Sequence, residues 1–276
     1  MLKQAVTGLR VTVIMKINLE ENSNYNKLSI QVSLDGFSFY ANNKERAIEP
    51  AKGYISFKEK HSPVSALEEI SVFFNENPLF EAKYRDVEVV YSNELYTIVP
   101  ASLFDKNNLT EYLKYNVKLL QTDFIAYDEL EAHELVNIYI PYTNINNYFF
   151  ERFGSFTYNH SASVLIDKVL NSSTDLAEPR LTAHFNESTF DLVIVKGKKL
   201  LLANTFAYHK PEDVLYYILF CIEQFSLNAD KNMLHVAGNI TQEDAKFALL
   251  YKYIRHIKID ERADDVFTHN SFLITT

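Results

Sequence analysis

Between Arg180 and Phe206 the run RLTAHFNESTFDLVIVKGKKLLLANTF reads as three short strands joined by two tight turns, and a helix follows at once. Strand-favouring residues broken at Asn186-Glu187-Ser188 and again at Lys196-Gly197 leave little room for anything but an antiparallel meander. Pro211 suits the first position of the helix, and Glu212 and Asp213 suit its first turn. Leu215, Ile218, Leu219 and Ile222 share one face, while further apolar residues wrap round it, so the helix is expected to be largely buried and to run to about Leu227. MLHVAGN then reads as a strand, and Thr241 with Asp244 is expected to cap a last helix reaching roughly His256.

The first half follows the same plan. LSIQVSLDGFSFYANN alternates from Leu28 and turns at Asp35-Gly36, a strong hairpin signal, and Tyr54–Phe57 supplies a third strand. Ser62-Pro63 opens a helix in which Ser65 and Glu68 have capping-box spacing and Leu67, Ile70 and Phe74 share a face. DVEVVYS (86–92) reads as a buried strand, Tyr96–Leu103 as extended to Pro100, Leu109–Leu120 as helical and Leu135–Ile140 as a strand closed by Pro141. A helix around Asn146–Phe153, a strand around Phe156–Tyr158 and a helix over Ser161–Leu170 follow. The polar stretch NSSTDLAEP is then the expected boundary. The chain reads as α/β with two domains, 1–174 and 175–276, each starting with a three-stranded antiparallel meander and continuing in alternating helix and strand. No residue-level repeat accompanies this duplication.

A length of 276 residues fits two domains at about 100–200 residues each. The net charge of −9 opposes the phosphate attraction behind most nucleic-acid binding, so no nucleic-acid partner is expected. Lys196, Lys198 and Lys199 read as a solvated hairpin tip. Cys221 is the sole cysteine, which excludes an intramolecular disulfide and a cysteine-rich metal site and fits a reducing cytoplasm. No run approaches the roughly 18 apolar residues of a membrane span, so no membrane insertion is expected. Met15 offers an alternative to Met1 as the natural start.

This order of elements, over roughly Leu28 to His256, resembles the actin-like ATPase superfamily, whose two domains are ribonuclease H-like. VSLDGFSF (32–39) is similar to its first phosphate loop. Aligned on the strand, Ser33 and Asp35 take the family's aspartate and glycine places; aligned on Asp35-Gly36, a spacer residue is missing. Leu135–Leu170 is similar to the strand, helix, strand, helix crossing between domains, with His160 and Ser161 before Ala162. Asn186, Ser188, Thr189 and Asp191 stand where the second, glycine-rich phosphate loop would be, and HVAGNITQEDAKFALLYKYI resembles the adenosine-holding turn and helix, with Gly238 kept and Asn239 in place of a second glycine. LSIQVSLDGFSF, VNIYIPYTNINNYFFERFGSFTY and LLLANTFAYHKPEDVLYYILF resemble a bacterial family of uncharacterised proteins with this fold.

The resemblance implies that any nucleotide would sit on Ser33, Asp35, Gly36, Ser188, Thr189, Gly238 and Asn239, with ATP and magnesium as the cofactors. The chemistry is eroded. Of six glycines none lies in 155–196, so the second turn offers no glycine-lined nest, and Glu187 puts negative charge where phosphates would rest. Asp35 has a sufficient local role in its turn, alternation turns Asp191 outward, and the eight histidines show no metal-ligand spacing and read as solvated or singly hydrogen-bonded. No catalytic residue, cofactor or metal is therefore expected. Eighteen tyrosines and twenty phenylalanines exceed what many cores need; most are expected in the core, but the adjacent aromatics of NNYFFERF and VLYYILF cannot all point one way on a helix, so some are expected in an interdomain or intersubunit contact. A protein partner is expected, with a homodimer left open. The expected function is an inactive actin-like scaffold or interaction module. The alternative is a nucleotide-responsive switch or divergent small-molecule kinase using the cleft between the domains.

Overall fold

A computed structural model describes residues 11–16, 25–43, 45–46, 48–57, 62–121, 123–172 and 178–259, giving only the backbone for 11–16. In the first half β1 (Val11–Lys16), β2 (Lys27–Val32), β3 (Gly36–Asn42), β4 (Ala51–Phe57), α1 (Pro63–Glu76) and β5 (Asp86–Tyr91) are followed by β6 (Tyr96–Pro100), α2 (Leu109–Leu113), β7 (Ala126–Leu130) and β8 (Leu135–Tyr139). Then come α3 (Thr143–Phe153), β9 (Thr157–His160) and α4 (Ser161–Ser172). The second half contains β10 (Pro179–Phe185), β11 (Thr189–Lys196), β12 (Lys199–Ala207), α5 (Pro211–Gln224), β13 (Leu234–Gly238), α6 (Ala245–Tyr253) and β14 (Ile257–Ile259).

The strands form sheets of order β1-β4-β3-β2-β5-β9 and β12-β11-β10-β13-β14, with β6-β8-β7 as a small third sheet. Setting β1 aside, both large sheets run third, second, first, fourth, fifth in chain order. In both, the first three strands pair antiparallel and the last two add on parallel. The duplication expected from the sequence is thus a duplication of topology, and the β6-β8-β7 sheet is an insertion between the fourth and fifth strands of the first copy.

Alternation decides which face each strand buries. Leu28, Ile30 and Val32 of β2 and Phe37 and Phe39 of β3 point to one side, where Ile70, Phe73 and Phe74 of α1 and Phe149 of α3 close a core. Phe74 and Phe80 stack there at 3.9 Å. The second sheet packs Leu181, Leu192 and Val236 under Val214, Ile218 and Ile222 of α5 and Leu250 of α6. Its opposite face is covered too, because Leu165, Ile166 and Val169 of α4 pack on Val193 and Val195. Helix α4 therefore follows the first sheet in sequence and sits on the second.

Several elements differ from expectation. Helix α1 is capped by Ser62 with Ser65, not by Ser65 with Glu68: Pro63, whose missing N–H suits the first turn, fixes the start one residue after Ser62. Helix α2 stops at Leu113 instead of Leu120, where the chain turns so that Val117 joins Leu113 in the core of the insertion. Helix α6 begins at Ala245, with Asp244 as its cap residue, and ends at Tyr253. Helix α5 ends at Gln224 rather than Leu227 and is not buried all round, Tyr216 and Phe220 being 63% and 46% exposed. Strand β7 had no counterpart in the sequence reading. Of the boundary stretch NSSTDLAEP, residues 173–177 lie outside the described residues, as do 1–10, and Met15 falls within β1.

Candidate functional site

The hairpin turns of the two meanders face each other. Between β2 and β3 the backbone N–H of Ser33 donates to Gly36 O at 2.9 Å, and the Ser33 hydroxyl donates to Gly36 O and to a carboxylate oxygen of Asp35. A glycine is required at 36 because a Cβ there would lie 2.4 Å from Ile55 O of β4. Between β10 and β11, Asn186 N donates to Thr189 O at 2.8 Å, and the Tyr208 hydroxyl holds the turn from behind through Asn186 O and Glu187 O at 2.8 and 2.9 Å.

The two turns are joined directly. Ser188 donates both its backbone N–H and its hydroxyl to Asp35 Oδ2, at 3.3 and 3.0 Å. Beside this contact the Tyr54 hydroxyl of β4 donates to Glu187 Oε1 at 2.9 Å. What remains between the halves is a cavity of about 90 Å³ lined by Ser33, Asp35, Glu94, Tyr142, Ser188 and Thr205 among others. A second space of about 20 Å³ lies under Tyr54 and Glu187. Ligand pockets run to about 300–1,000 Å³, so the larger space has room for a few waters and not for a nucleotide.

The charge in this cleft is of one sign. Asp35 and Glu94 line the cavity, Glu187 lines the smaller space, and among the described residues no lysine or arginine lines either. Three tyrosines from separate elements register that field. Burial raises the hydroxyl pKa of Tyr54, and the charge of Glu187 raises it further. Burial and then Asp35 do the same at Tyr142, and burial followed by Glu187 and Asp35 at Tyr208. A triphosphate placed here would meet like charge in a poorly hydrated space. The lining does not fit ATP or its magnesium ion. Among the described residues no group of three His, Cys, Asp or Glu side chains is placed to hold a metal.

Of the residues expected to form the site, Ser33, Asp35, Gly36, Ser188 and Thr189 come together around these two spaces. Gly238 and Asn239 do not line them. Gly238, at φ +82°, packs so tightly on the end of β10 that a Cβ would lie 2.2 Å from Phe185 O, and Asn239 N donates to that same oxygen at 2.7 Å. Asp191 does not face outward. It is 3% exposed because α5 and α4 cover both faces of its sheet, and its carboxylate accepts from Thr205 Oγ1 at 2.5 Å and lies 3.8 Å from His184 Nδ1.

Sequence reading missed Asn93, Glu94 and Tyr142. A signal for the first two existed, since they follow the buried parallel strand β5, and the carboxyl ends of parallel strands are where open α/β sheets place ligands. His160 was also misread as one of the solvated or singly bonded histidines. It is fully buried between Tyr96 and Tyr139, its Nδ1 accepts from Ala162 N at 3.1 Å, and Nε2 lies 3.2 Å from Asn93 Oδ1. Burial lowers its pKa to about 4. Beneath it Asp128 accepts from the Tyr139 and Ser163 hydroxyls and from His160 N, while burial holds its carboxyl pKa up.

Two sheets of identical order, facing each other across a cleft formed by their first hairpin turns, define an actin-like ATPase fold. The chain belongs to the family described as "Protein of unknown function (DUF3822)", whose model matches residues 16–257. It is similar to a protein of Bacteroides thetaiotaomicron VPI-5482 described as having an actin-like ATPase fold and unknown function, with TM-score 0.76 and 21% identity over 94% of this chain and 98% of that one. A chain of the PilM-PilN type IV pilus biogenesis complex aligns with TM-score 0.55 and 11% identity over 90% of this chain and 96% of that one. No curated protein matches the sequence. Among the described residues, no helix is long and apolar enough to cross a membrane.

Proposed function

We propose that this protein is an interaction module on an actin-like fold, one that neither hydrolyses ATP nor needs nucleotide to hold its shape. The observation that carries this reading is the Asp35–Ser188 contact, because the two turns that would cradle phosphates in an ATPase are bonded to each other. ATP hydrolysis depends on positioning and on charge stabilisation, and a cavity lined by Asp35 and Glu94, with no basic residue among the described residues that line it, supports neither. That a chain sharing this fold belongs to a two-protein pilus biogenesis complex adds support for a protein partner.

The reading keeps two domains, 1–174 and 175–276, with α4 as the element that ties them together. It places the protein in a reducing compartment, the cytoplasm, because the sole cysteine, Cys221, is a buried thiol packed in a core.

The test is a thermal-shift titration with ATP, ADP and magnesium, backed by calorimetry. A ligand that binds only the folded state raises the midpoint by mass action. No shift at millimolar nucleotide is expected. A clear saturable shift would overturn the reading in favour of a nucleotide-responsive switch or a small-molecule kinase.

A further inference from the structure

The two sheets have the same strand order, and that sameness exposes one difference between them. In the first, the outer edge of the third strand, β4, is covered by β1, six residues running antiparallel from Val11↔Phe57 to Lys16↔Lys52. In the second, the third strand is β12, nine residues long, and among the described residues it has a neighbour on one side only. A long edge strand with apolar residues is a template for another strand, and proteins ordinarily blunt such edges. Here a bulge between Ile194 and Val195 interrupts the first part of β12, leaving Leu202–Ala207 as a regular run of pairing groups.

Beside that run lies an aromatic ridge. Tyr217 of α5 stacks on Phe206 of β12 at 4.7 Å, which places α5 directly over this edge. Tyr216 and Phe220, one turn apart and stacked at 6.1 Å, stand exposed on the same helix. Helix α5 runs back along β12, so a two-fold axis that sets Asn204 opposite Asn204 of a second copy passes close to Phe220. Charge fits the same axis. The chain carries −9 overall, yet Lys196 through Ala207 holds three lysines and no acidic residue. At the opposite end of β12, Glu212 and Asp213 outnumber Lys210. Antiparallel pairing of two copies brings the basic end of each to the acidic end of the other.

We infer that β12 is a homodimer edge: two copies pair antiparallel through Leu202–Phe206 about Asn204, fusing their five-stranded sheets into one, with Phe220 and Tyr216 of the two α5 helices packed across the axis. The interface is isologous, closes on itself, and seals the edge that β1 seals in the first sheet. Thr205 of this strand also lines the cleft, but its hydroxyl is turned onto Asp191, and Asn204, Tyr216 and Phe220, where the interface is tested, do not line it, so failure of the interface and failure of the nucleotide-free reading are separate results.

The test is light scattering and sedimentation of the full chain from about 1 to 500 µM. A species of twice the 32.0 kDa chain mass is expected. The double variant Tyr216→Glu/Phe220→Glu, at exposed positions, should weaken it at least tenfold, with a melting midpoint unchanged at a concentration where both proteins are monomeric. Because Cys221 is buried, Asn204→Cys supplies a single reactive thiol, and oxidation or a short bis-maleimide should trap a covalent dimer whether or not the double variant folds. A monomer at every concentration, or a dimer that neither the double variant nor Asn204→Cys touches, overturns the proposal.

Discussion

Ser188 turns its backbone N–H and its hydroxyl onto one carboxylate oxygen of Asp35, at 3.3 and 3.0 Å, across 153 residues of sequence. Asp35 is thereby both a turn residue, tied to Ser33 within its own hairpin, and the acceptor that joins the two halves. A carboxylate serves because it offers acceptors alone, and the three donors around it are all neutral. Local turn chemistry explains an aspartate at this position, but only the facing turn explains why both of its oxygens are used.

Asp35→Ala leaves the two Ser188 donors without their acceptor in a partly buried site, while the Ser33 hydroxyl keeps Gly36 O, and this costs about 1–3 kcal/mol. Urea unfolding should show a lower midpoint, and small-angle scattering a larger radius as the halves separate. Asp35→Asn, which keeps one carbonyl acceptor, should lose less on both. A radius unchanged by Asp35→Ala would mean that the contact does not hold the cleft shut.

Gly238 supports the second turn from behind. Its φ of +82° is strained for any residue with a Cβ, and the added atom would meet backbone, which cannot rotate away: Phe185 O at 2.2 Å and Phe185 N at 2.8 Å. Gly238→Ala should therefore cost at least about 2 kcal/mol and loosen the 186–188 turn anchored to the same strand end. Hydrogen exchange at Asn186–Ser188 reads this directly. Unaltered protection there and an unaltered melting point would show that the β10–β13 junction relaxes without penalty.

How much of this was legible in the sequence follows from the range of the forces involved. Both meanders were readable because alternation and turn chemistry act within a few residues, as at Asp35-Gly36 and Lys196-Gly197. Gly197, at φ +57°, opens the two-residue turn expected of it. Strand β7 was not readable, since Ala126–Leu130 buries only Ala126 and Leu130 and carries charge between them. Asp191 was misjudged because alternation tells which side a residue takes and not whether a helix from the other half covers that side. At the cleft the sequence identified Ser33, Asp35 and Ser188 as neighbours, but their bonding to one another depends on how the halves are set together.

Helix α5 ends in a motif that ordinarily uses glycine. Ser226 N donates to Glu223 O at 3.0 Å and Leu227 N to Ile222 O at 2.8 Å, the two closing bonds of a Schellman turn, and Ser226 takes φ +52° to make them. A left-handed serine is strained where glycine is not. Ser226→Gly should stabilise the protein by about 0.5–1 kcal/mol, seen as a rise of a degree or more in the melting midpoint. A fall would mean that the entropy glycine adds to the unfolded chain outweighs the relieved strain.

His160 predicts how stability changes with acid. The imidazole is fully buried, and its Nδ1 already accepts a hydrogen bond from Ala162 N, so a proton at that nitrogen would face an N–H instead of an acceptor. Its folded-state pKa of about 4 lies below the unfolded value of about 6.5, so the unfolded chain takes up the proton first. The neutral ring's contribution is complete above pH 6.5 and is lost as the pH falls from there towards 4, about 2–3 kcal/mol by pH 4.5. The raised Asp128 carboxyl pKa works in the opposite direction and is present in both proteins of the comparison, so a variant isolates the histidine. Urea midpoints at pH 7 and pH 4.5 should fall further for the natural chain than for His160→Gln, by about that amount, even though the substitution lowers stability at pH 7 by disturbing the Asn93 contact. Equal losses in the two proteins would show that the ring is reached by water, or already charged, in the folded state.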